Sequence, residues 1–470
     1  MGVEDRIADV ERRLEESLKE NAALREENAA LREENAALRE ENAKLRREIE
    51  AWKRGFRERG KRRTSAAEGT RRGSGKRPGR RAGHAPATRP VPERIDETIE
   101  HAVPERCACG GAVDPIDESD STVVQDIPPV RVRNVRHVAH VGRCRRCHKR
   151  VVAPLPGAVA NGHSVAAVQV GPQASAMAHG LRFEQHVPLA GIATFFDTWF
   201  GLHVTPGGIS QMFDRTRRWS RPNLDAIALH VRTAAVVGMD ETGWRQDGVR
   251  GYAWLARTEQ ASLYRVELSR GDWVAMRMLG EAFAGTLCTD FYSVYTSHHE
   301  WRHAYCGAHL VREAKKIAEL DPGPLTEQMR DALQIWYHDA DRIRWYVPQE
   351  PARNLRRRLR ALATNPRLAL HPELARLQKR IRTHFDGLVS FVRDIEVPAT
   401  NNATERDLRS LAVHRRVTGG TRSPNGSATL GHWMSLTQTL RKNTRSLRDF
   451  VIGLHDTHRL SRPPPAILPS

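Results

Sequence analysis

The chain has 470 residues, enough for two or three domains, and 39% of them are hydrophobic, an ordinary share for a soluble fold. There is no run of about eighteen apolar residues and no apolar leader behind the first methionine, so neither a membrane span nor a secretory signal is expected. A formal charge of +19 points to a polyanionic partner, and six cysteines, four of them in two tight pairs, do not make a secreted disulfide framework.

Residues 20–47 read ENAALRE ENAALRE ENAALRE ENAKLRR. With Leu24, Leu31, Leu38 and Leu45 at heptad position d, Asn21, Asn28, Asn35 and Asn42 fall at a. Glu20, Glu27, Glu34 and Glu41 then occupy g, and Arg25, Arg32, Arg39 and Arg46 occupy e, so a parallel pair sets Glu against Arg across the seam. Buried Asn at a weakens a coiled coil but specifies two parallel strands, because each amide needs its twin. Residues 1–54 are therefore expected to form a parallel leucine zipper and the chain a homodimer. Residues 55–100 change character to Arg, Lys, Gly and Pro, too interrupted for a helix. They read as a flexible linker that also tethers phosphates without sequence specificity, through Arg62, Arg63, Arg80 and Arg81 among others.

Within residues 101–155, Cys107 and Cys109 form a C-x-C pair, and Cys144 and Cys147 form C-x-x-C. Two cysteine pairs joined by short strands predict a zinc-ribbon-like module with a tetrahedral, structural Zn2+. His140 or His148 is an alternative ligand. Residues 160–233 are expected to be helical. Two amphipathic segments flank Gly201, and Thr205-Pro206 suits an N-cap and first turn. A DNA-reading helix-turn-helix and a plain helical hairpin fit this segment equally.

From residue 234 the pattern switches to strands. AAVVGMDETGW reads as a strand ending at Asp240 and Glu241, GYAWLART and ASLYRVEL as a hairpin, and DWVAMRMLGEAF as a helix. GTLCTDFYSVY reads as a buried strand ending at Asp290, followed by another strand and helix from Arg302. That order is the order of the RNase H-like fold, a mixed α/β sheet in which the first and fourth strands are neighbours. Asp240 and Asp290 would then meet at adjacent strand ends, where two repelling carboxylates favour a cation. Mg2+ suits carboxylate and phosphate oxygens, and two metals about 4 Å apart serve phosphoryl transfer. Such chemistry wants a third carboxylate. Asn402 and Glu405 have the spacing of a capping box, so Glu405 is either a cap or that third ligand.

MDETGW, CTDFYSVY, CGAHLVRE and NNATERDLR resemble the signature blocks of the insertion-sequence-66 family of transposases, a DDE group. The resemblance extends over the zipper, the GKRPGRRAGH linker, the cysteine-rich module, the helical segment and the core. It implies that Asp240, Asp290 and Glu405 are the catalytic, metal-binding triad, holding Mg2+ or Mn2+. Glu405 stands far beyond Asp290, a gap accounted for by a helical insertion at about 322–393 within a core of residues 234–450; residues 451–470 end a helix and form a tail. Arg406, Arg409, Arg415 and Arg416, with His414, are expected to contact DNA. Cys306, His309 and Arg312 are expected to pack behind the carboxylates. The leading function is a DNA transposase of the bacterial cytoplasm and nucleoid, acting on element ends and target with accessory proteins of the element as possible partners. The alternative is a non-catalytic dimeric DNA-binding protein with a vestigial nuclease core.

Overall fold

The computed structural model describes residues 40, 89–116, 120–153, 168–343, 349–394 and 396–469. The zipper repeat, Glu40 apart, and the linker residues Arg62, Arg63, Arg80 and Arg81 lie outside the described residues. The chain divides into two units, Met1–Gln125 and Asp126–Ser470.

The second unit opens with a short antiparallel hairpin, β1 (Val141–Arg143) and β2 (Arg150–Val152). Four helices follow: α1 (Pro172–His179), continued by a π-turn over Gly180–Glu184, α2 (Leu189–Phe200), α3 (Pro206–Trp219) and α4 (Arg221–Thr233). Gly201 ends α2 with φ of 62°, a conformation glycine adopts without strain. Thr205 Oγ1 then accepts the Gly208 N–H at 3.1 Å and Pro206 opens α3, as the Thr-Pro pair predicts. Ile192, Phe196, Ile209, Met212 and Phe213 turn inward and share one core with Trp433.

A five-stranded sheet follows: β3 (Val236–Gln246), β4 (Val249–Arg257), β5 (Ser262–Glu267), β6 (Thr286–Thr289) and β7 (Arg302–Tyr305). Helices α5 (Asp272–Leu279) and α6 (Ser293–Thr296) connect the later strands. The spatial order is β5-β4-β3-β6-β7, with the first three antiparallel and β3, β6 and β7 parallel. β3 is longer than its apolar run suggests. It continues to Gln246 because Asp247 (φ 51°) and Gly248 (φ 77°) form a two-residue hairpin turn into β4. Asp240 therefore lies inside the β3–β4 ladder rather than at its end.

Helices α7 (Gly307–Leu320), α8 (Pro324–Ile343), α9 (Gln349–Thr364), α10 (Pro372–Thr383) and α11 (Phe385–Leu388) follow β7, and α8–α11 fall within residues 322–393. Leu333, Trp336, Leu355, Leu359, Leu377 and Ile381 form a second core that these helices share with Cys288 of β6 and Ala304 and Tyr305 of β7. Each fully buried leucine there contributes about 1.5–3 kcal/mol.

The chain then returns to the sheet through α12 (Asn402–Thr418), α13 (Pro424–Lys442) and α14 (Leu447–Arg459). α13 covers the outer edge of β5. Ser435 Oγ and Thr439 Oγ1 accept the N–H groups of Tyr264 and Ser262 at 2.8 and 3.1 Å, so hydroxyls replace a missing strand. Among the described residues no helix is long and apolar enough to cross a membrane.

Candidate active site

The parallel register pairs Val236 with Thr286, Val237 with Leu287 and Gly238 with Cys288. Asp240 and Asp290 each lie two residues beyond the last of these pairs, Asp240 within β3 and Asp290 just past the end of its neighbour β6. Both are half-buried. Asp240 Oδ1 accepts the Glu241 N–H at 2.8 Å, and Asp290 Oδ1 accepts the Tyr292 N–H at 2.9 Å. Alternation along β3 turns Glu241 to the other face. There its nearly inaccessible carboxylate takes Arg270 at 2.6 Å and the Tyr295 hydroxyl at 2.5 Å. Glu241 is thereby committed to an ion pair.

Glu405 comes from α12, and several contacts lay that helix on β3. Asn401 Nδ2 donates to the Met239 carbonyl at 2.8 Å, and the Asn401 N–H donates to Cys306 Sγ at 3.1 Å. Farther along, Arg415 donates to Thr242 Oγ1 at 3.2 Å and to the Gly243 carbonyl. Beneath the helix, Gly238 leaves no room for a side chain: a Cβ there would stand 2.2 Å from Thr404 Oγ1. The first turn of α12 thus rests on the strand just before Asp240.

Of the two alternatives for Glu405, the capping box does not form. Asn401, not Asn402, precedes the helix, and the Asn402 amide donates to the Tyr337 hydroxyl at 3.0 Å. The Glu405 carboxylate turns instead to Arg312 at 2.5 Å, with His309 Nε2 at 3.8 Å. A guanidinium is a stronger partner for a carboxylate than a neutral backbone N–H. Cys306 is buried against Asn401, which puts its thiol in packing and a backbone contact.

These groups share one electrostatic field. Burial first, then the charge on Glu241, push the Asp240 carboxyl up to about 7; Asp290 and Glu405 add to the rise and the Glu241 N–H opposes it. Burial, then Arg312, hold His309 below its ordinary value, while Asp290 and Glu405 pull the other way. Among the described residues no three His, Cys, Asp or Glu side chains stand in a geometry that would hold a metal ion, and Glu405 is turned toward Arg312. A cleft of about 600 Å³ opens beside the start of α12, lined by Gly238, Arg257, Asn401, Thr404 and Arg406 among others but by none of the three carboxylates.

The raised Asp240 carboxyl has a measurable consequence. Between its unfolded value of 3.8 and its folded value of about 7 the folded chain binds more protons than the unfolded one. Stability from this group is full below about 4 and is lost as pH rises through 7, by up to about 4 kcal/mol. Melts in chelator should therefore show Asp240→Asn gaining on the parent between pH 5 and pH 8; parallel pH profiles of the two proteins would contradict this.

Of the arginines expected to face DNA, Arg406, Arg409 and Arg416 are exposed on α12. Arg415 is drawn inward to β3, where a strand carbonyl and a threonine hydroxyl occupy it. His414 is wholly buried against Trp244 and His186, its pKa lowered to about 3 by burial, then Arg182 and His186, so it faces no ligand. One cluster has no signature in the sequence: Asp407, on the turn after Glu405, accepts from Arg257 at 3.0 Å, Lys442 at 2.9 Å and Ser262 at 3.2 Å. It fastens α12 to the β4–β5 hairpin and to α13.

Each cysteine pair sits in a tight turn. In the first unit the Gly110 N–H donates to the Cys107 carbonyl at 2.8 Å and the Cys107 N–H to the Gly111 carbonyl at 2.9 Å. In the second, the His148 N–H donates to the Cys144 carbonyl at 2.9 Å within the β1–β2 hairpin. The backbone N–H of Cys109 chiefly lowers the Cys107 thiol, and that of Cys147 chiefly lowers Cys144. Both are turns that favour thiolate, the form that binds metal.

Matched against known proteins, the chain belongs to the IS66 transposase family, whose description fits residues 167–429, more than half of the sequence and all three acidic positions. A second match, the zinc-finger binding domain of transposase IS66, covers residues 104–148 and both cysteine pairs. The uncharacterized protein y4jD of Sinorhizobium fredii is 26% identical over 360 residues, 69% of this chain and 68% of that protein. The uncharacterized protein y4jO of the same organism is 26% identical over 145 residues, 30% of this chain and 44% of that protein.

Proposed function

We propose that this protein is a DDE transposase with an RNase H-like core, which cuts the ends of a mobile DNA element and joins them to a target. The observation that carries the reading is the position of Asp240 and Asp290, each two residues beyond the last β3–β6 pair, with the first turn of α12, which carries Glu405, tied to the same strand through Asn401. The strand order β5-β4-β3-β6-β7 supports the RNase H-like assignment.

Asp240, Asp290 and Glu405 are the residues that would hold Mg2+ or Mn2+, and hard oxygen donors in each other's field fit such a cation. When bound, divalent ions activate the attacking water or 3′-hydroxyl and stabilise the leaving oxygen. The chain's own residues prepare the place. The Glu241 and Tyr292 N–H groups orient the two aspartates, Arg312 and His309 attend Glu405, and exposed Arg406 and Arg409 suit backbone phosphates. Pairing through the zipper suits a reaction on two DNA ends, and proteins encoded by the same element are proposed helpers. The deciding experiment incubates the purified protein with candidate element ends and Mg2+ or Mn2+ and maps any nicks. A chain that binds these ends yet never nicks them is a dimeric DNA-binding protein instead.

The family match across both cysteine pairs, with thiols lowered in each turn, supports one structural Zn2+ per chain held by Cys107, Cys109, Cys144 and Cys147. Thiol modification of the purified protein should release one equivalent, read with a metallochromic dye, and Cys144→Ser should retain none. Protein purified without added chelator that carries no zinc would refute the assignment.

A further inference from the structure

The insertion carries its charge unevenly. Residues 349–383, which hold α9 and α10, contain ten Lys and Arg against two Asp and Glu, whereas residues 324–343 of α8 contain two against four. Burial of Leu355, Leu359, Leu377 and Ile381 in the helical core leaves Arg357, Arg360, Arg376, Lys379 and Arg382 exposed. Two of these side chains tie the helices together, and Arg376 also pairs with Glu373 at 2.7 Å. Arg382 donates to the Ala363 carbonyl at 2.7 Å at the end of α9, and the Arg360 guanidinium stands 5.1 Å from the Phe385 ring just past α10.

This surface joins the acidic centre. Arg380 of α10 pairs with Glu313, the residue after Arg312, which itself holds Glu405. The Arg380 guanidinium also lies 5.5 Å from the Phe291 ring, the residue after Asp290. Arg380 thus reaches the residue after Asp290 and the residue after Arg312, the partner of Glu405. A phosphodiester held at those carboxylates needs its flanking strands neutralised nearby, because duplex DNA carries one negative charge per about 1.7 Å of its axis.

We infer that the α9–α10 face of the insertion is the seat for the duplex DNA that flanks the scissile phosphate. The inference rests on the transposase reading for its occupant, and on charge and continuity for its place. Neutral hydrogen-bonding replacement of three surface cations, Arg357→Gln, Arg376→Gln and Lys379→Gln together, removes charge without touching the buried residues. Binding of the full chain to an end-labelled duplex is read by fluorescence anisotropy across a KCl series. The slope of log affinity against log salt should become shallower by about 2 to 3, and affinity at 0.1 M salt should fall by about tenfold or more. The double variant R357K/R376K, with Lys379 kept, should retain the parental slope, which separates charge from folding.

Parental slope and affinity in the triple glutamine variant would overturn the inference. The two readings fail separately. A parent that never cleaves DNA but whose glutamine variant loses salt dependence keeps this surface and loses the transposase assignment. A parent that cleaves, with a variant that binds as before, does the reverse.

Discussion

Asp290→Asn is expected to reduce divalent-ion-dependent strand cleavage by about a thousandfold or more, close to 4 kcal/mol of transition-state stabilisation, while DNA binding stays near parental. The substitution is isosteric, and its amide oxygen still accepts the Tyr292 N–H, so the turn after β6 survives. What disappears is a negative charge. Its loss also relieves Asp240 of one source of repulsion, so the remaining aspartate ionises more readily while the site as a whole binds cations less well. Glu241→Gln supplies the contrast. That carboxylate neutralises Arg270 and accepts from Tyr295, and its loss leaves a guanidinium short of its partner, so the chain should melt earlier with little change in the chemistry per folded molecule. Nicking assays with a labelled duplex, normalised to folded protein, check both. Parental cleavage by Asp290→Asn would remove the basis of the enzymatic reading.

Gly238→Ala should cost about 3 kcal/mol of stability and about a hundredfold in cleavage, although the residue touches no substrate. The added methyl would stand 2.2 Å from Thr404 Oγ1 and 3.0 Å from Asn401 Oδ1, so the first turn of α12 must lift from β3. Lifting that turn carries Glu405 with it, and a misplacement of about 1 Å at a reacting centre can cost about a hundredfold in rate. Adding Thr404→Ala removes the nearer obstacle and should return part of both losses. Urea unfolding alongside the nicking assay measures the pair. A single variant as stable and active as the parent would show that the helix does not rest on the strand.

The path from sequence to site was uneven for identifiable reasons. Strand order made the neighbourhood of Asp240 and Asp290 legible, because alternation of apolar runs and helical periods leaves few topologies. The length of β3 was harder. Its far half is polar and rests on the Asp247–Gly248 turn, a local feature easily overlooked beside the apolar run. Asn402 looked like the cap because spacing alone identified it, whereas Asn401 wins through a carbonyl on β3, and Glu405 is claimed by Arg312 from a helix ninety-three residues away. Arg415 and His414 lie in a basic tract that reads as surface, yet the turn of α12 aims both at β3. The Asp407 cluster joins residues 257, 262, 407 and 442, and nothing in a linear pattern relates them.

The stitching of β7 to α12 has a wider consequence. The Gly307 N–H donates to the Ala399 carbonyl at 3.3 Å, and Cys306 accepts from Asn401, so the whole helical excursion from residue 307 to residue 399 leaves and rejoins the body at one seam. Because its two ends are already closed there, the excursion can grow, shrink or be exchanged at little entropic expense. A change of length beyond α7 leaves the β3–β6 register, and with it the spacing of Asp240 and Asp290 along the sheet, as it stands.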